Sequence, residues 1–143
     1  MRTVHERIYS RLTGDVNDKQ GTSLQNLLGG SGRIYAGMDW QLAQAPCLVF
    51  NSMASVAGSI NSDTVMVEQQ YFEFRVFANN FLDIALRLRV LLDRYTFAET
   101  SDAGALQCTW ESDGPELFDE NLKVRRRDSR YKIYVMPKAV GAV

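Results

Sequence analysis

The stretch from Thr64 to Tyr95 most constrains what this chain can fold into. Thr64 to Phe77 (TVMVEQQYFEFRVF) is rich in β-branched and aromatic residues and alternates in polarity. One face, Val65 to Phe77 by twos, is mixed. The other becomes strongly apolar at Phe72, Phe74 and Val76. The spacing predicts a long strand. Asn79 or Asn80 is placed to cap a following helix, predicted over Phe81 to Tyr95. There Phe81, Ile84, Ala85, Leu88, Leu91, Leu92 and Tyr95 make one core-facing stripe at helical spacing.

The remaining segments fit around this pair. Val4, Ile8 and Leu12 recur every four residues, so Arg2 to Leu12 reads as a helix stopped at Gly14. Glu6, Arg7 and Arg11 fall elsewhere around the turn. Asp15 to Gly21 is polar and turn-rich, hence a loop. Thr22 or Ser23 caps a short helix with Leu24, Leu27 and Leu28 on one side, ended by Gly29 and Gly30. Arg33 to Ala36 predicts a short strand, and Cys47 to Ser55 a central one pairing antiparallel with Thr64–Phe77 across a turn at Val56 to Asp63. Further strands are expected at Ala105 to Glu111, Leu122 to Arg126 and Arg130 to Met136. An acidic loop, Ser112 to Asn121, lies between the first two. The tail Pro137 to Val143 reads as frayed. Long helices are too few for a doubly wound parallel sheet. The expected fold is α+β: a mostly antiparallel sheet of four to five strands, one long helix packed on a face and a short N-terminal helix.

Several functions are excluded or weakened by composition. The chain has 143 residues, 45% of them hydrophobic, enough for a core without metal or disulfide staples. Its 16 Lys and Arg balance 17 Asp and Glu, which gives no global attraction to nucleic acid or a membrane surface. No apolar run approaches the roughly 20 residues that span a bilayer, and the N-terminus reads as no secretory signal. Cys47 and Cys108 fit buried free thiols of a reducing compartment, although spacing alone does not say whether they meet.

No motif for catalysis, cofactor or metal emerges. The glycine-rich Leu27 to Gly37 (LLGGSGRIYAG) invites comparison with phosphate loops. Gly32 is followed by Arg33 and Ile34 where a P-loop needs Lys and a hydroxyl. Tyr35 stands where a dinucleotide fingerprint starting at Gly30 needs its third glycine. The element order, helix before and strand after, is also reversed. His5 is the single histidine and reads as a surface residue, too isolated for a triad or zinc site. Glu111, Asp113, Glu116, Asp119 and Glu120 read as a solvated acidic loop. An enzyme is therefore the weakest reading.

Two surface features point elsewhere. At about 100° per residue, Leu82, Leu86 and Val90 fall nearly opposite the core stripe of the long helix. They are flanked by Asp83, Arg87, Arg89, Asp93 and Arg94. An apolar ridge bordered by both charge signs suits a subunit contact, with Leu82, Leu86, Arg87, Arg89, Val90 and Asp93 as its candidates. The second feature is the basic run Lys123 to Lys132. Its charges alternate along strands and so divide between two faces, as expected of edge protection. With exposed aromatics on a sheet face, Arg125 to Arg127 would also serve a small nucleic-acid-binding module.

The order of Arg33-Ile34-Tyr35, Pro46-Cys47-Leu48-Val49, Val76-Phe77-Ala78, the Ala85–Leu92 helix segment and the strand Tyr131 to Val135 resembles the tail-completion or tail-terminator proteins of long-tailed bacteriophages and of gene transfer agents. The resemblance covers about residues 3–136, as one domain. It departs from the family at Cys47, often aromatic there, and in the longer Asp15–Gly32 segment. It implies a structural virion protein, made in the host cytoplasm, that caps the finished tail tube as a homo-oligomeric, typically hexameric ring. Such a ring docks the head–tail connector and passes DNA through its lumen without reading sequence. No membrane, cofactor or catalytic residue is implied. Arg125, Arg126, Arg127, Glu116 and Phe118 become candidates for partner or lumen contacts. A head-side neck protein, such as a connector stopper, is the alternative within the class.

Overall fold

The computed structural model describes residues 4–16, 22–30, 32–37, 44–59, 66–100 and 104–136. The tail from 137, the polar stretches at 17–21 and 60–65, and part of the connection before Pro46 lie outside them. In chain order the elements are α1 (Val4–Thr13), α2 (Leu24–Leu27), β1 (Ile34–Ala36), β2 (Cys47–Ser59), β3 (Met66–Phe77), α3 (Phe81–Leu92), β4 (Tyr95–Phe97), β5 (Leu106–Asp119) and β6 (Val124–Val135). The strands form one six-stranded sheet in the order β1-β2-β3-β6-β5-β4. Only the β1–β2 pair is parallel. The α+β class stands. The expected four to five strands become six: the short strand expected at Arg33–Ala36 is present as β1, and the three-residue β4, too short to show a period, adds the other edge.

The central feature is the expected one. β3 lies between β2 and β6 and turns Phe72, Phe74 and Val76 inward. Phe81, Ile84, Ala85, Leu88, Leu91 and Leu92 of α3 are all buried on that face. β2 adds Leu48 and Phe50, and β6 adds Tyr131 and Ile133. The rings of Phe50, Phe74 and Tyr131 follow one another at 5.5 and 5.1 Å, a spacing at which aromatic pairs attract beyond simple burial. Ile8 and Leu12 of α1 and Leu24 and Leu28 around α2 complete this core. Cys47, Val49 and Phe77 form a smaller cluster on the opposite sheet face. Cys108 lies in the main core instead, and both cysteines are free and buried.

Local chemistry explains the element ends. The Ser23 hydroxyl caps α2 by accepting from the Asn26 amide. Gly29 and Gly30 follow at φ 84° and 135°, the left-handed region that glycine enters without strain. Asn80 occupies the N-cap of α3 but makes no capping bond; its amide donates to the Leu27 carbonyl and ties α2 to α3. The helix stops at Leu92, not at Tyr95. Arg94 turns left-handed at φ 61°, and Tyr95 starts β4. The Asp93 carboxylate accepts from the Trp110 amide, which holds that corner on β5.

Four expectations are corrected. Ser112–Asn121 is mostly strand. β5 continues to Asp119 because Gly114 and Pro115 sit where the register shifts between Asp113 and Glu116, and a bulge tolerates a missing ladder donor. The two basic strands are one, β6, joined through buried Ser129. Val56 to Ser59 belongs to β2 rather than to a turn. His5, expected at the surface, is half-buried. The imidazole lies 4.9 Å from the Phe72 ring, and burial lowers its pKa. Arg7 is buried and donates to the carbonyls of Gly104 and Ala98, both at 2.7 Å.

Leu88 and Leu86 separate the two faces of α3. In the dilute, unassociated chain, Leu88→Ala is expected to cost about 2–5 kcal/mol by urea unfolding. Leu86→Ala should stay within about 0.5 kcal/mol of wild type. Similar losses at both positions would contradict this assignment of faces.

Candidate assembly interface

The outer face of α3 carries the apolar ridge expected there. Leu82, Leu86 and Val90 are 54%, 58% and 68% exposed. No described residue covers them. Between α2 and α3 lies a groove of about 490 Å³ lined by Thr22, Leu27, Asp83, Leu86, Arg87 and Val90. The ridge therefore borders a depression that a side chain can enter.

Three of the charged residues beside the ridge, Arg87, Arg89 and Asp93, are engaged within the chain. Arg87 makes a two-pronged bond to Asp15, at 2.8 and 2.6 Å. Asp15 also accepts from the Leu24 amide, so this pair fixes α2 against α3. Arg89 donates to Asp113 at 2.9 Å and stacks 3.9 Å above the Trp110 ring. Asp93 holds the Trp110 amide. Leu82, Leu86 and Val90 thus remain as free contact surface, while Arg87, Arg89 and Asp93 brace the helix that presents them.

Asp113 gathers the β5 side of this brace. It accepts from Trp110 Nε1 at 3.0 Å, Ser129 Oγ at 2.8 Å and Arg89. Arg127 stands 3.7 Å away. Burial opposes ionisation here, but the bonds from Trp110 and Ser129 and the two guanidiniums outweigh it and hold the carboxyl below its usual range. This role has no sequence signal, because it takes the register shift between Trp110 and Ser112 to bring the indole and the carboxylate to one face.

Beyond Asp113 no described helix covers the helix-side face of the β5–β6 hairpin. Phe118 pairs in register with Arg125, and Leu117 with Arg126, so the two pairs face opposite sides of the sheet. Phe118 is 63% exposed. The Arg125–Glu116 pair, at 3.3 Å, is open to solvent and adds little stability. Arg126 makes a two-pronged bond to Asp128, and Arg127 donates to the Gly114 carbonyl. The basic run divides between the two faces as expected, and Arg125, Arg126 and Arg127 each have a partner.

The rest of the molecule offers little reactivity. Burial pushes the Cys47 thiol up to about 11 and the Cys108 thiol to about 12, far from thiolate at neutral pH. Among the described residues no group of three or more His, Cys, Asp or Glu is placed to hold a metal ion. No described helix is long and apolar enough to cross a membrane.

The Asp113 carboxyl binds its proton less readily folded than unfolded. Its contribution to stability is therefore complete above the ordinary aspartate range and is lost as pH falls through the depressed value. Asp113→Asn is expected to cost about 1–3 kcal/mol at neutral pH. The gap between variant and wild type should narrow in acid, read from urea midpoints across pH. A gap that stays constant with pH would remove the charged role.

No protein-family profile matches the sequence, and no curated protein matches it. The fold is similar to that of a chain in the virion of a native gene transfer agent particle. The two superpose with a TM-score of 0.63 at 13% identity, over 90% of this chain and 91% of that one.

Proposed function

We propose that this chain is a structural protein of a phage-like particle, forming a ring that caps the tail tube, ends its polymerisation and joins it to the head connector. The observation that carries the reading is the exposed Leu82–Leu86–Val90 ridge on a rigidly braced helix, in a fold shared with a gene transfer agent virion component. A monomer's outward helix face is ordinarily polar. An apolar strip of this kind is stable in water when another subunit covers it. The proposed location is the tail or neck of the particle, after assembly in the host cytoplasm. DNA passes the lumen without being read.

A catalytic role has less to rest on. The imidazole of His5 lies against Phe50 and Phe72, and burial lowers its pKa. A nucleic-acid module is likewise disfavoured by Arg126 and Arg127, already engaged by Asp128, Asp113 and Gly114.

Sedimentation and light scattering over a concentration series test the ring. Wild type should associate, and Leu86→Glu should stay monomeric with unchanged circular dichroism. Wild type that is monomeric at every concentration, and absent from purified tails, would overturn the proposal. Co-purification with tails made without capsids distinguishes a tail cap from a head-side stopper.

A further inference from the structure

We infer that the ring contact is heterologous: the β5–β6 hairpin end of one copy, led by Phe118, seats in the α2–α3 groove of the next. This rests on the ring reading above and adds the identity of the two mating surfaces. The helix-side face of the sheet runs past its helical cover. Arg89 reaches Asp113, which marks the edge of that cover. Beyond it Glu116, Phe118 and Arg125 project from the same face, exposed. Burying a large aromatic there is favourable, and no described residue of this copy does so.

The groove has the complementary character. Leu27, Leu86 and Val90 supply apolar walls around about 490 Å³, ample for one phenyl ring. Asp83 stands at its edge, exposed and in the first turn of α3. Arg125, opposite Phe118 in register, brings the matching positive charge. Placing the groove of the next copy under the hairpin continues the helix layer beneath the sheet. Knob and groove are different patches of one surface, so the contact joins copies head to tail. Repeated contacts of that type close into a ring when the rotation allows.

Phe118→Glu, Asp83→Arg, Arg125→Asp and the Asp83→Arg/Arg125→Asp double variant test this by sedimentation, each with circular dichroism as a folding control. All the altered side chains are exposed. The three single variants should lose the oligomer that wild type forms, and the double variant should regain it. If wild type associates while Phe118→Glu associates equally well, or while the double variant fails to recover, this pairing is overturned and the ring reading stands. A wild-type chain that never associates removes both.

Discussion

One contact organises this molecule: the stripe of α3 on the inner face of β3, β5 and β6. Twelve residues of helix cover only part of a six-stranded sheet. α1 and α2 fill in beside it with Ile8, Leu12, Leu24 and Leu28. No described helix extends under the far end of the β5–β6 hairpin. The same geometry that makes the core therefore creates two leftovers, an apolar ridge on the outer side of α3 and an uncovered stretch of sheet. Both follow from a helix layer smaller than its sheet.

Charge is used mainly to fix the position of α3. Arg87–Asp15 holds it to α2, and Arg89–Asp113 holds it to β5. Arg7 anchors α1 to the chain on either side of 101–103 through the carbonyls of Ala98 and Gly104. Arg11 adds a bond to the Leu91 carbonyl and lies 3.6 Å over the Tyr95 ring. Partly buried arginines of this kind give directional bonds that aliphatic packing lacks. Because Arg87, Arg89 and Asp93 are already engaged, what the ridge itself offers a partner is chiefly apolar, with Asp83 at its edge. The affinity of such a surface depends on how well a partner fills it, with charge setting orientation.

Much of this was legible in the sequence. The α3 stripe follows a 3.6-residue period and every one of its residues through Leu92 is buried. The inner face of β3 and the glycine stop at Gly29 and Gly30 read equally clearly. What was not legible has physical causes. Gly114-Pro115 among acidic residues looks like a loop, and only the bulge that accommodates it keeps β5 a strand. β4 is too short to show a period. Arg7 and His5 look solvated because their burial depends on Phe97, Phe50 and Phe72, distant in sequence. The hub at Asp113 needs Trp110, Ser129 and Arg89 brought together from three elements. For the candidate interface, the ridge could be read from helical spacing, whereas the groove at Leu27 and Asp83 exists only once α2 has docked.

The functional account makes assembly a consequence of incomplete internal cover: what this chain leaves bare, its neighbour covers. A reconstruction of the assembled oligomer by electron microscopy tests that most directly. The account predicts a closed ring with an open centre, with α3 of each subunit at the boundary, beneath the β5–β6 hairpin of the adjacent copy. A two-fold dimer joined ridge to ridge, or a ring whose boundaries leave Leu86 and Phe118 in solvent, would contradict it.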